Sequence, residues 1–320
     1  MKAAVYYQTG GPEGLRYEDL PDPSCGSREV KVDVKAIAVE GGDVLNRAHG
    51  EKPGDAFVVG YTAAGVVVET GAEIDGIKLG DRVTTVSFAG SHAEQRVAPG
   101  FGCWALPDSV SFEQGACFPV TFGTAQDALF EFGRLRQGET VLIQGGAGGV
   151  GVACIQLAKI AGATVIATAS SDARLDALTE FGLDHGINYR EKNLTQEVMK
   201  LTSGRGVDVV IDPVGGEVLE QSIASAGRRG RIVSVGTAGR DFSKVNVSGL
   251  APGNKSLTGV FLGAEMASAR AYDMVADLIR RAGMGELRMP IDRQYALADV
   301  AQAHAYIESR QAVGRVILVP

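Results

Sequence analysis

The sequence predicts an α/β chain in two parts: a doubly wound parallel sheet of the dinucleotide-binding kind, and a β-rich domain assembled from both ends of the chain. Three observations carry this expectation. From about residue 121 short apolar runs alternate with helical patterns. A glycine cluster, Gly145-Gly146-Ala147-Gly148-Gly149-Val150-Gly151, falls between one such run and a helix. The chain closes on GRVILVP, a strand pattern with no helix after it.

Length and composition bound the answer. At about 150 residues per domain, 320 residues suggest two domains. Lys plus Arg total 31 against 38 Asp plus Glu, a net charge of −7, and no basic block offers a footprint for nucleic acid. Hydrophobic residues make up 45%, enough for a substantial core. Glycine, at 43 residues, is roughly twice its usual ~7% share, which implies many tight turns and backbone that approaches something closely. Cys25, Cys103, Cys117 and Cys154 include no C-x-x-C pair, so neither a disulfide scaffold nor a thiolate zinc lobe is expected. The start, MKAAVYYQTGGPEG, lacks an apolar secretory segment, and no apolar run reaches the ~18 residues of a membrane span. A cytoplasmic protein with no membrane partner is expected.

The elements follow in order. Residues 30–39 (VKVDVKAIAV) alternate as a half-buried strand, and 65–69 and 81–86 are β-branched runs between turn residues. Then come strand 140–144, helix 149–161, strand 164–169 and helix 172–181, ended by Gly182. Four more apolar runs, 187–189, 207–211, 231–235 and 257–262, complete six strands, the number of one doubly wound sheet. Helical patterns at 267–281 and 297–310 precede the final strand, which suits the β-rich domain better than a parallel sheet. The expected division is therefore 1–122 with 264–320 for the β-rich domain, and 123–263 for the dinucleotide-binding one.

Glycines between a strand and a helix permit a tight turn, close approach to a pyrophosphate, and a helix N-terminus that faces the anion. A nucleoside-triphosphate loop would need Lys-Ser/Thr after the last glycine, where this chain has Val152-Ala153. An NAD site places a carboxylate at the end of the second strand. Here that end reads Ala169-Ser170-Ser171, with Arg174 just beyond, a pattern that favours the 2′-phosphate of NADP(H). Asp172 argues the other way but reads as a helix N-terminal residue.

Gly138-Glu139, Leu142, the 146–151 glycine run, Gln156 and Lys159 together resemble the signature of the zinc-independent quinone oxidoreductase (zeta-crystallin-like) branch of the medium-chain dehydrogenases/reductases. The resemblance extends from MKAAVYYQTGGPEGLRYED through Gly80-Asp81-Arg82-Val83 to Ala303-His304, Glu308-Ser309-Arg310 and Gly314-Arg315-Val316. It implies a six-stranded Rossmann domain plus a discontinuous, β-rich, GroES-like catalytic domain. It also implies NADPH held at the pyrophosphate by Ala147, Gly148, Gly149, Val150 and Gly151. Ser170, Arg174, Tyr189 and Arg310 would surround the 2′-phosphate. Thr124 would lie on the nicotinamide side, with Thr237, Phe261 and Leu262 at the carboxamide. Family members pair through the last sheet strand, so a homodimer through 257–262 is expected.

The zinc-dependent relatives' ligands are missing: Glu40 or a neighbour, Tyr61-Thr62 and a position near Val120 stand in their places. His49, His92, His185 and His304 have no metal-ligand spacing and read as surface or turn residues. No metal is expected. Glu40 and Leu45 stand where the family commonly has Asn and Tyr, so the substrate pocket is expected to be more acidic and less aromatic. Asp43 reads as a turn carboxylate. No catalytic residue is assigned; Glu40, Leu45 and Tyr61 are the pocket candidates, with Tyr61 and Glu40 as possible proton donors. No G-x-S-x-G supports acyl transfer. The expected activity is NADPH-dependent hydride transfer to a small electrophile, a quinone or an α,β-unsaturated carbonyl. The alternatives are an enoyl or alkene reductase acting on an activated alkene such as an acyl thioester, and a non-catalytic NADPH-binding protein.

Overall fold

The computed structural model describes residues 1–50 and 55–320. The chain divides into two units, Met1–Val120 with Ala264–Pro320, and Thr121–Gly263. The first begins with β1 (Lys2–Tyr6), β2 (Arg16–Asp19), β3 (Glu29–Ala38), α1 (Gly41–His49), β4 (Phe57–Val58) and β5 (Thr62–Thr70). β6 (Arg82–Val86), β7 (Gln95–Pro99), β8 (Cys103–Ala105) and α2 (Phe112–Ala116) follow. In β3 the buried Val30, Val32 and Val34 alternate with more exposed neighbours, the period-two pattern of a strand with one face in the core.

The second unit contains α3 (Gly123–Gln126), β9 (Thr140–Ile143), α4 (Gly149–Ile160), β10 (Thr164–Ala169), α5 (Asp172–Asp176) and β11 (His185–Asn188). It continues with α6 (Leu194–Leu201), β12 (Val207–Asp212), α7 (Glu217–Ser225), β13 (Ala226–Ser234) and β14 (Ser256–Gly259). Its six strands pair in the order β11-β10-β9-β12-β13-β14, every pair parallel. Buried strand residues such as Val141, Leu142, Ile166 and Val210 explain the unbroken apolar runs, because helices cover both faces of such a sheet. The order reverses between β9 and β12, where doubly wound sheets open a ligand crevice.

Two local readings need correction. The 172–181 helix stops at Asp176 and resumes as a tight 3-10 turn, Thr179–Phe181, ended by Gly182 at φ 105°. The 257–262 run is a shorter strand, Ser256–Gly259, although β14 does form the sheet edge. The segment around Thr124 is a wide helix: π-helical turns at Phe118–Phe122 and Asp127–Phe132 flank α3. Gly133 N–H there bonds back five residues to the Ala128 carbonyl at 2.9 Å.

The chain then returns to the first unit with α8 (Ala269–Gly283), β15 (Ile291–Ala296), α9 (Val300–Glu308) and β16 (Arg315–Val319). β16 lies between β15 and β3, antiparallel to β3, so the last strand enters the middle of the N-terminal sheet. The core is correspondingly mixed: Tyr6, Ile37, Val39 and Val44 pack with Leu297, Val300 and Leu318. Two histidines read as surface residues are also part of this interior. His92 and His304 are each 0% exposed and share a hydrogen bond, Nε2 to Nε2, of 3.1 Å. Among the described residues no helix is long and apolar enough to cross a membrane.

Candidate active site

In the second unit the predicted cofactor residues gather along one edge. The glycine turn follows β9, Ser170 and Arg174 follow β10, Tyr189 follows β11, Thr237 follows β13, and Phe261 and Leu262 follow β14. All strands being parallel, these are the carboxyl ends of the sheet, the edge where such sheets bind ligands. Thr124 is half-buried on α3, which packs against α4. Arg310 belongs to the first unit, just after α9, in the left-handed region at φ 57°.

The turn itself is close-packed. A Cβ on Gly151 would come within 2.5 Å of the Gly145 carbonyl oxygen, and one on Gly146 within 2.7 Å of the Ala167 Cβ. Gly148 differs: it is exposed, caps α4 with extended backbone, and a Cβ there would meet only the Gly145 oxygen at 3.4 Å. Gly148 thus fronts an open cradle at a helix N-terminus, which fits a pyrophosphate.

A buried relay holds this turn, and nothing local in the sequence announced it. Gly145 N–H donates to Thr168 Oγ1 at 3.0 Å, and the Thr168 hydroxyl donates to Gln144 Oε1 at 2.9 Å. Gln144 Nε2 donates to Ser222 Oγ at 3.0 Å, and that hydroxyl donates to Asp212 Oδ2 at 2.7 Å. Asp212 Oδ1 accepts the N–H groups of Val214 and Gly215 at 2.8 and 2.9 Å. The relay therefore ties the loops after β9 and β12, the two strands at the reversal point. Such fully satisfied networks fix one backbone geometry.

At the end of β10, Arg174 Nη1 donates to Ser170 Oγ at 2.9 Å. Tyr189 N–H bonds the Ala169 carbonyl at 3.1 Å, which sets this half-exposed aromatic beside the same corner. The competing carboxylate, Asp172, accepts from Asn188 Nδ2 at 3.3 Å. A cation, a hydroxyl and a partly exposed aromatic suit a phosphorylated ribose.

The three pocket candidates all lie in the first unit, around the start of α1. Glu40 is 3% exposed and forms an ion pair with Arg315 of β16. The acidity expected of this pocket is therefore neutralised, and Glu40 is a poor proton source. Leu45 is half-buried on α1. Asp43 accepts the N–H groups of Glu40 at 2.8 Å and Tyr61 at 3.2 Å, so it does serve the chain turn. Burial raises the Asp43 carboxyl well above the usual range, although those two N–H groups and Arg315 work the other way. Tyr61 Oη accepts from Asn46 Nδ2 at 2.7 Å. Burial first, and then the Asp43 charge, push the Tyr61 phenol up to about 12.

Comparison with known proteins places this geometry. Residues 26–120 match the family described as alcohol dehydrogenase GroES-like domain, and 149–280 match the one described as zinc-binding dehydrogenase. A quinone oxidoreductase of Pseudomonas aeruginosa is 34% identical over 97% of this chain and 97% of its own length. The quinone oxidoreductase-like protein 2 of Rattus norvegicus is 33% identical over 99% of this chain and 91% of its own. The crystal structure of Escherichia coli quinone oxidoreductase complexed with NADPH superposes with a TM-score of 0.94, at 28% identity and full coverage of both chains.

The chain belongs to the quinone oxidoreductase branch of the medium-chain dehydrogenases/reductases.

As an enzyme of this medium-chain reductase kind, it carries the Rossmann and GroES-like domains its sequence predicted. Despite the zinc in one family description, among the described residues no group of three or more His, Cys, Asp or Glu side chains is arranged to hold a metal ion. The sequence did not point to Asn46, to the pairing of Arg315 with Glu40, or to the Gln144–Thr168–Ser222–Asp212 relay of this reductase. Each acts through a partner distant in sequence, and only the Asn46-to-Tyr61 spacing is short enough to have prompted a search.

Proposed function

We propose that this reductase is NADPH-dependent and zinc-independent, and that it delivers hydride to a quinone or an α,β-unsaturated carbonyl. The observation that carries the reading is the Ser170–Arg174 pair at 2.9 Å, one strand over from the glycine turn. It presents a cation and a neutral hydroxyl where an NAD site presents a carboxylate. The Escherichia coli neighbour, described as complexed with NADPH, supports it.

In this reading Ala147, Gly148, Gly149, Val150 and Gly151 hold the pyrophosphate at the N-terminus of α4. Ser170, Arg174, Tyr189 and Arg310 serve the 2′-phosphate, while Thr124, Thr237, Phe261 and Leu262 serve the nicotinamide end. When bound, NADPH supplies the hydride. The chain's own part is to orient the reactants, exclude water and stabilise charge on the acceptor oxygen. Tyr61, protonated at neutral pH, donates a hydrogen bond to that oxygen, and Leu45 lines the pocket. Glu40, held by Arg315, shapes the wall. We place the enzyme in the cytoplasm, consistent with four free cysteines. We also propose a homodimer through the exposed edge of β14, which light scattering would register as twice the chain mass.

The test is the initial rate of loss of reduced-nicotinamide absorbance, with chelator present. NADPH and NADH are each offered with an ortho-quinone and with an α,β-unsaturated ketone. NADPH-selective turnover is expected. Turnover of the enone alone would make the chain an alkene reductase, and tight NADPH binding without turnover of either would overturn both acceptor classes and leave another substrate or a non-catalytic role.

A further inference from the structure

Tyr61 is held at four points, more than the packing of a half-buried aromatic requires. Its backbone N–H donates to Asp43 Oδ1 at 3.2 Å. Its carbonyl accepts from Ser87 N–H at 3.0 Å and from Arg96 Nη1 at 2.9 Å. Arg96 is 1% exposed and has no ion pair within salt-bridge distance among the described residues; its other hydrogen bond goes to the Ala89 carbonyl at 3.2 Å. The ring lies against the first turn of α1 because Gly42 has no side chain: a Cβ there would sit 2.4 Å from the Tyr61 Cε2. The fourth point is the hydroxyl, which accepts from Asn46 Nδ2 at 2.7 Å. Asn46 stands one turn along α1 from Gly42 and close to the Arg47 guanidinium in sequence, yet its amide turns to Tyr61.

We propose that Asn46 is a positioning residue for the Tyr61 hydroxyl. Its amide N–H fills one lone pair of Oη, turns the phenolic proton away from α1, and stabilises the charge left on Oη once that proton is given up. The inference rests on the reading of Tyr61 as the donor to the acceptor oxygen, and it adds the group that sets the direction and acidity of that donor. Asn46 opposes the upward push that burial and Asp43 exert on the phenol, and among the described residues it is the one neighbour that bonds the hydroxyl itself. Asp43 and Glu40 face the phenol as the nearby carboxyl groups, and Tyr6 is the other phenol within electrostatic reach.

The proton balance is simple for an enone. The β-carbon gains the hydride, the C=C pair moves between the α-carbon and the carbonyl carbon, and the carbonyl π pair moves onto oxygen. That oxygen takes the Tyr61 proton, and water returns a proton to Oη. A quinone gains aromaticity on reduction and depends less on this donor.

Two measurements on the full chain test the proposal. With tyrosine labelled with carbon-13 at Cζ, and the Tyr61 signal assigned through Tyr61→Phe, Asn46→Ala should shift the Tyr61 resonance alone at neutral pH. Asn46→Asp, which keeps the shape but removes the N–H donor, should do the same. An unmoved Tyr61 signal in either folded variant overturns the proposal. In turnover, Asn46→Ala should lower kcat for an enone about tenfold, the worth of one charge-assisted hydrogen bond. It should leave quinone turnover within about twofold and add no further loss to Tyr61→Phe. Additive losses would overturn the coupling. Enone turnover indifferent to Tyr61→Phe would instead sink the donor reading, while the resonance measurement still judges Asn46 by itself.

Discussion

The Arg315 guanidinium lies on the Glu40 carboxylate, 275 positions away in the chain, and both side chains are buried. β16 brings this about by pairing with the end of β3, so that the residue opening the last strand meets the residue before α1. A buried charge left without its partner is costly, whereas an apolar pair of similar volume is not. Arg315→Met is therefore expected to destabilise the chain by about 3–5 kcal/mol, and Glu40→Leu added to it should restore most of the loss. Urea unfolding of the two variants checks this, and a silent single variant would refute it.

Arg174→Ala should raise the dissociation constant for NADPH by about tenfold or more, because a charge-assisted hydrogen bond contributes about 1.5–3 kcal/mol. NADH binding should barely change. Fluorescence titration of both nucleotides decides the matter, since equal losses would detach Arg174 from the phosphate.

Gly148 and Gly151 separate ligand space from backbone space. Gly151→Ala drives a Cβ to 2.5 Å from the Gly145 oxygen, so the turn must shift, at a cost of about 1–3 kcal/mol. Gly148→Ala meets only that oxygen at 3.4 Å and should leave thermal stability unchanged. It should nevertheless weaken NADPH binding about tenfold or more by filling the cradle. A drop in Tm for Gly148→Ala comparable to that for Gly151→Ala would contradict the distinction.

The His92–His304 pair predicts acid sensitivity. Two ring nitrogens 3.1 Å apart share one proton, and burial lowers the His92 imidazole to about 3 and the His304 imidazole well below its ordinary value. The unfolded chain titrates near the ordinary histidine value of about 6.5, so below that pH it binds protons the folded chain refuses. Stability from this pair is complete above about pH 6.5 and is lost as pH falls toward the folded values, at about 1.4 kcal/mol per pH unit for each imidazole. His304→Gln should remove close to half of that slope. Urea unfolding from pH 7 down to pH 5 measures it, and an identical slope in the variant would show the histidines uninvolved.

The second unit was legible in the sequence almost strand by strand, and so were the residues we propose for the phosphate end of its site. Buried parallel strands write themselves as apolar runs, and the glycine turn, Ser170 and Arg174 are positioned by elements only a few residues away. The wide helix around Thr124 was not legible, because π-helical turns leave no distinct periodicity in so short a stretch. The acceptor side was legible only as residue names. Glu40 looked like an available acid until β16 placed Arg315 against it, and His92 looked like a turn residue until α9 brought His304 to it across 212 positions. By itself the sequence determined the fold class and the family, and it supplied the residues we propose for the nucleotide cradle, since each rests on local periodicity and contiguous motifs. Only the tertiary structure decided the partners of Glu40, Tyr61, His92 and Asp212. A buried polar group must find its mate among whatever side chains the topology brings near, and chain spacing carries no record of that choice.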